Sequence, residues 1–168
     1  MAGVDEAVGQ MLDFLKANDL DENTIVIYTS DQGFYLGEHG WFDKRWMYEP
    51  SFRMPFMIKY PRKISPASRN NNLLLNIEFG PTLLDLAGIE VPKDMQGESF
   101  KKQLFGKPTK WRDAIYYHYY EYPFWHNVQP HYGVSTGKYK LIHYYYDMDE
   151  WELFDLENDK NEMRNLYG

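Results

Sequence analysis

Thr24–Lys44 reads TIVIYTSDQGFYLGEHGWFDK, and this stretch decides the fold. Thr24 to Thr29 are all β-branched or aromatic, which predicts a short strand buried on both faces, as in a parallel sheet. Polar residues begin where that strand ends. In open α/β sheets ligands bind beyond the carboxyl ends of the strands, so Ser30, Asp31 and Gln32 stand where chemistry is usually placed. Gly33, Gly37 and Gly40 follow, with Glu38 and His39 between the last two and Lys44 just after. A carboxylate, an amide and a lysine delivered by a glycine-rich loop suit a hard cation and an anionic substrate.

On the N-terminal side Val4, Val8, Met11, Leu12 and Leu15 recur at helical spacing, with Asp5 and Glu6 in the first turn and Lys16 in the last. This predicts an amphipathic helix over Val4–Ala17. On the C-terminal side Ser30–Met47 is a long loop, and its aromatic residues argue that it is ordered. Phe56–Tyr60 is a second strand, Pro81 opens a helix that Gly88 closes, and Ser99–Phe105 is another helix, closed by Gly106 and Pro108. Past Trp111 the texture changes. Ala114–Tyr120, Tyr132–Thr136, Tyr139–Tyr145 and Trp151–Leu156 are aromatic-rich strand candidates, with Gly137 and Lys138 as a hairpin turn. The organisation expected is an α/β portion over 1–108, mainly parallel sheet with helices, then a small antiparallel α+β portion over 109–168.

The 168 residues allow one core, or one domain with a small appendage. Hydrophobic content of 43% and charged content of 26% are those of a globular chain. A net charge of −7 without a Lys/Arg stripe argues against nucleic-acid binding. With Cys at 0 there is no thiolate nucleophile, disulfide or cysteine metal site. No apolar run approaches the roughly 20 residues that span a bilayer, and MAGVDEAVGQ has no secretory pattern.

Four blocks, LDENTIVIYTSDQGFYLGEHGWFDK, RMPFMIKYP, NIEFGPTLLDLAGIEVP with MQGESF behind it, and WELFDLENDKNEMRNLY, carry a specific resemblance. In order and content they resemble the C-terminal part of a type I sulfatase on the alkaline-phosphatase-like fold. The resemblance implies hydrolysis of a sulfate ester with one divalent cation, usually calcium, and a formylglycine nucleophile made from Cys or Ser. It implies that Asp31 is a metal ligand, with Gln32 standing where many members have Asn or His, and that Lys44 contacts the sulfate. The nucleophile motif Cys/Ser-x-Pro-x-Arg is absent, as is the Asp pair that completes the metal site. Ser65-Pro66-Ala67-Ser68-Arg69 has its proline at the wrong offset. The isolated chain is therefore expected to be inactive.

Each assignment has a plainer counterpart. Asp31 alone suits a strand-end turn, and Lys44 alone suits a solvated loop. His39 either assists at the leaving group or the metal shell, or braces the loop. Of the histidines in FWHNVQPHYG, His131 is the better substrate candidate and His126 the surface residue. His118 and His143 fall inside strand candidates and are structural, and Arg53 with Glu49 suggests an ion pair. The tyrosines pack a sheet, while a minority, with Trp125, stack on sugar rings. The intact protein is expected to cleave a sulfated carbohydrate, with N-acetylglucosamine-6-sulfate or another glycosaminoglycan unit leading, and to be periplasmic or secreted. Alternatives are a phosphodiesterase or phosphonate hydrolase on the same scaffold, or a non-catalytic carbohydrate-binding module. Exposed sheet surface predicts self-association of the isolated chain.

Overall fold

The computed structural model describes residues 2–107 and 109–168. Pro108, expected to help close a helix, lies outside the described residues. In chain order the elements are α1 (Ala2–Ala17), β1 (Val26–Thr29), β2 (Tyr35–Leu36), β3 (Phe42–Asp43), α2 (Glu49–Phe52), β4 (Phe56–Lys59), α3 (Phe79–Leu86), α4 (Lys101–Leu104), β5 (Ile115–Tyr119), β6 (His131–Ser135), β7 (Tyr139–Tyr144) and β8 (Glu150–Asp155). The chain divides into two compact units. The first holds Met1–Thr29, Phe56–Asn71 and Ile77–Thr109; the second holds Ser30–Pro55, Asn72–Asn76 and Lys110–Gly168.

In the first unit β1 pairs antiparallel with β4, Val26 opposite Lys59 and Thr29 opposite Phe56. The expectation of a mainly parallel sheet is corrected here: every strand pair among the described residues is antiparallel. β-branched residues mark a strand but say nothing of its partner's direction, and the residues of β1 are half-buried or exposed rather than buried on both faces. The core of this unit is aromatic. Phe56 stacks on Phe79 at 5.2 Å and meets Phe100 edge-on at 5.5 Å. Thr82 accepts a hydrogen bond from the Phe100 amide at 3.1 Å, and Lys101 pairs with Asp85 at 2.9 Å, tying α4 to α3.

The second unit is built on the sheet β5–β6–β7–β8, antiparallel throughout. Its pairing puts Tyr119, His131 and Tyr144 in one cross-strand row. Tyr117, Gly133, Ile142 and Glu152 form the next, and Ile115, Ser135, Lys140 and Phe154 the third. Successive side chains alternate, so these rows share a face. Residues 30–55 pack on that face. Tyr35, Met47, Tyr48, Ile142, Tyr144 and Phe154 form the core, with Trp41, Trp46, Phe52, Tyr117 and Leu156 against it. His118 and His143 lie on the opposite face, His118 hydrogen-bonded to Tyr145 at 2.7 Å and His143 stacked on Trp151 at 4.0 Å.

Two glycines permit this docking. A Cβ on Gly133 would lie 2.5 Å from the Met47 sulfur, and one on Gly33 would lie 2.0 Å from the Pro50 carbonyl oxygen. The Gly33 amide donates to Ser51 at 2.8 Å, fastening the start of the loop to its end. Within the loop β2 and β3 form a small hairpin, Tyr35 opposite Asp43 and Leu36 opposite Phe42. The expected Arg53–Glu49 pair gives way to a longer reach, because Glu49 meets Lys140 of β7 at 2.8 Å. Lys140 is fully buried and also meets the fully buried Glu162 at 2.7 Å.

Removing one partner of a buried ion pair leaves the other charge unmatched. Lys140→Met is expected to destabilise the chain by about 3–5 kcal/mol in denaturant unfolding, and adding Glu162→Gln is expected to recover part of that loss. Equal stability of Lys140→Met and the native chain would show that the ion cluster holds nothing.

Candidate active site

Asp31, Gln32, His39 and Lys44 all belong to the second unit. Asp31 follows β1 by two residues, and its carbonyl accepts from the Asn76 amide at 3.2 Å. One of its carboxylate oxygens accepts from the Gln32 amide nitrogen at 3.0 Å, a local turn contact. The other lies 3.7 Å from the Lys44 ammonium. The loop thus brings together two groups thirteen residues apart, an exposed carboxylate and a part-buried cation. Ser30 donates to the Gln32 carbonyl at 2.6 Å and sets the turn between strand and site.

Lys44 is held by its neighbours. The Arg45 guanidinium donates to the Lys44 carbonyl, and the Tyr117 hydroxyl donates to the Arg45 carbonyl at 3.0 Å. Arg45 also pairs with Asp43 at 3.3 Å. His126, from the loop before β6, closes the group: its Nε2 lies 2.6 Å from Arg45 and its Nδ1 lies 3.4 Å from Asp43. Guanidinium only donates, so Nε2 accepts and the ring proton sits on Nδ1, facing the carboxylate. Asp43 holds φ at +93°, a left-handed conformation uncommon outside glycine. A carboxylate, a guanidinium and an imidazole therefore flank Lys44, all partly exposed. Sequence reasoning singled out Lys44 and passed over Asp43 and Arg45 beside it; the signal was the charged run Asp43-Lys44-Arg45.

His39 has φ of +57° and stacks on Tyr48 with ring centroids 4.6 Å apart. His131, expected at the substrate, has no exposed surface. Its ring stacks on Trp46 at 5.5 Å and Tyr119 at 5.4 Å. Its Nδ1 lies 2.8 Å from the Gln129 carbonyl, which fixes the proton there, and Nε2 is a buried acceptor without a partner. Of the histidines of FWHNVQPHYG, His126 faces the charged segment and His131 lies in the core.

Asp31 and Gln32 offer oxygens that suit a hard cation, and Asp31 has an exposed carboxylate to give. Among the described residues no group of three or more His, Asp or Glu side chains holds a metal alone.

The relatives that this chain matches are sulfatases. Residues 37–168 match the family described as N-sulphoglucosamine sulphohydrolase, C-terminal, and the chain belongs to that family. An N-acetylglucosamine-6-O-sulfatase of Bacteroides thetaiotaomicron is 54% identical over 169 residues, covering 98% of this chain and 30% of the relative. A solved structure of a protein in complex with its substrate D-glucosamine-2-N,6-O-disulfate matches with a TM-score of 0.91 at 54% identity, over 98% of this chain and 34% of that one. A phosphonate monoester hydrolase of Agrobacterium radiobacter, with a TM-score of 0.83 at 24% identity over 98% of this chain and 35% of that one, shows the fold alone. The chain spans about a third of the length of the relatives it matches.

Burial pushes the His131 imidazole down from its ordinary 6.5 to about 4. Between those values the unfolded chain binds a proton that the native chain refuses, so stability present above pH 6.5 is lost as pH falls toward 4 and changes no further below it. The loss amounts to about 3 kcal/mol. Unfolding midpoints from pH 7.5 to 3.5 should show His131→Gln with a flatter profile than the native chain; parallel profiles would exclude this account. Relief of the left-handed strain predicts that Asp43→Gly is about 1 kcal/mol more stable than the native chain, measured the same way.

Proposed function

We propose that this chain supplies the C-terminal third of a sulfatase that cleaves sulfate from a glucosamine-type sugar, most concretely N-acetylglucosamine-6-sulfate in a glycosaminoglycan. The observation that carries the reading is the Lys44–Asp31 contact at 3.7 Å, flanked by Asp43, Arg45 and His126. The Bacteroides thetaiotaomicron relative and the solved glucosamine-disulfate complex, each 54% identical to this chain, carry the sugar names that support the substrate class.

Lys44 places a compact positive charge against the sulfate oxygens and offsets charge that builds on the bridging oxygen as the ester breaks. Asp31 and Gln32 would hold one side of a divalent cation, calcium by family resemblance, with its remaining ligands supplied from outside this chain. When bound, that cation polarises the S–O bonds. The formylglycine nucleophile likewise belongs to a segment this chain does not contain. Asp43 and Arg45 present an acceptor and a forked donor at the sugar hydroxyls, with His126 bridging the two. His39 and Tyr48, stacked, hold the loop that carries Lys44. Export of the intact protein belongs to the same reading, as does self-association of the isolated chain through exposed sheet surface, where Met57 on β4 and Tyr116 on β5 stand open.

The isolated chain should turn over no aryl sulfate, and hydrolysis by it that Lys44→Ala abolishes would sink the reading. A chimera with residues 1–168 in place of the matching segment of the Bacteroides thetaiotaomicron relative should hydrolyse N-acetylglucosamine-6-sulfate. In it Lys44→Ala is expected to lower kcat about 10²–10³-fold.

A further inference from the structure

We propose that Trp125 is a stacking platform for a second sugar ring, the one joined to the ring whose sulfate ester is cleaved. The proposal rests on the reading of Lys44 and its neighbours as a sulfated-sugar site.

The Phe124 carbonyl accepts from the Asn127 amide at 3.0 Å, so residues 124–127 form a turn with Trp125 and His126 at its tip. Asn127, at φ of +47°, completes it. His126 turns inward to Arg45 and Asp43. Trp125 turns outward and is 92% exposed. The turn is anchored on both sides. The Tyr122 hydroxyl donates to Asp147, the Gln129 amide donates to Tyr122 at 3.4 Å, and Val128 is buried. The indole is thus carried on a fastened turn, at a position set by the contact its neighbour makes with the candidate site.

A tryptophan left in water forgoes the largest burial gain any side chain offers, and turn tips are ordinarily small and polar. Phe42, next to Asp43, is also mostly exposed, so an uncovered aromatic lies one residue away on each side of the His126–Asp43 contact. The charged end of the ligand has its partner at Lys44. A ring attached to it needs no charge, only a surface for its C–H face, and a flat indole with polar neighbours provides that. Consecutive Cα atoms are about 3.8 Å apart, so a ligand that continues outward past His126 comes within reach of the turn tip that carries Trp125.

The test is kinetic, in the chimera described above. Two substrates are compared: N-acetylglucosamine-6-sulfate alone, and a disaccharide in which that sugar is linked to a second, unsulfated pyranose. Trp125→Ala is expected to raise KM for the disaccharide about five- to tenfold with kcat unchanged and leave the monosaccharide kinetics as they were. Trp125→Phe, which keeps an aromatic face, is expected to restore most of the difference. Equal losses on both substrates, or no loss on either, overturn the platform while hydrolysis of the monosaccharide leaves the sulfatase reading standing. Failure of the chimera with Trp125 intact to hydrolyse either substrate overturns both.

Discussion

The constraint on which the second unit depends is the buried charge of Lys140. A lysine ammonium without solvent must be matched where it lies, and the sheet supplies no acid beside it in its own row. The partners come from far along the chain: Glu49 at the start of α2 and Glu162 in the C-terminal segment. Burial pushes the Glu162 carboxyl upward, and the attraction of Lys140 opposes it. Glu162 also accepts from the Glu49 amide at 2.6 Å, and Phe52 lies 5.1 Å below the ammonium. Three segments that no local signal connects are thereby held in one register. A well-packed hydrophobic replacement could be as stable, so the ionic arrangement contributes specificity of docking more than stability.

That register fixes where the loop sits, and the aromatic layer makes it rigid. Trp41 stacks on Trp46 at 4.5 Å, and Trp46 stacks in turn on His131. Below them the Tyr48 and Tyr144 hydroxyls converge on one oxygen of Glu152. Burial pushes both phenols well above their ordinary range, so both remain donors at neutral pH. Asp43, Lys44 and Arg45 lie between Trp41 and Trp46 in the chain, so their backbone is held from both sides while their side chains face solvent in part. A site on a loop attains in this way the precision usually expected of a regular element.

Much of this was legible in the residues. The aromatic-rich texture of Tyr139–Tyr145 and Trp151–Leu156 located β7 and β8 nearly to the residue, because such residues favour a pleated, half-buried surface. The β2–β3 hairpin was not legible, since two-residue strands carry no period at all. Nor was Glu49's partner, which lies 91 residues away and is chosen by the docking of the loop. The histidines of FWHNVQPHYG turned on a single residue of register. A strand read from Tyr132 leaves His131 in a loop; begun at His131, it puts the imidazole on the face of Gly133 and Ser135, where the core lies. The strand Thr24–Thr29 was found, but its direction relative to a partner lay outside what a propensity encodes.

The left-handed backbone at Asp43 bears on function in a way the charged groups alone do not. Glycine would adopt φ of +93° without penalty, and this loop uses glycine freely at Gly37 and Gly40, both at positive φ. An aspartate held there costs the fold something that packing must offset. Its carboxylate gains two partly exposed partners, Arg45 and His126, and such pairs contribute little to stability. Local stability therefore does not account for the choice of aspartate. What the conformation does achieve is placement, because a left-handed residue at the end of β3 turns the backbone just before Lys44 while its carboxylate keeps hold of Arg45 just after. The carboxylate and guanidinium are thereby fixed on either side of Lys44 while both stay in part open to solvent.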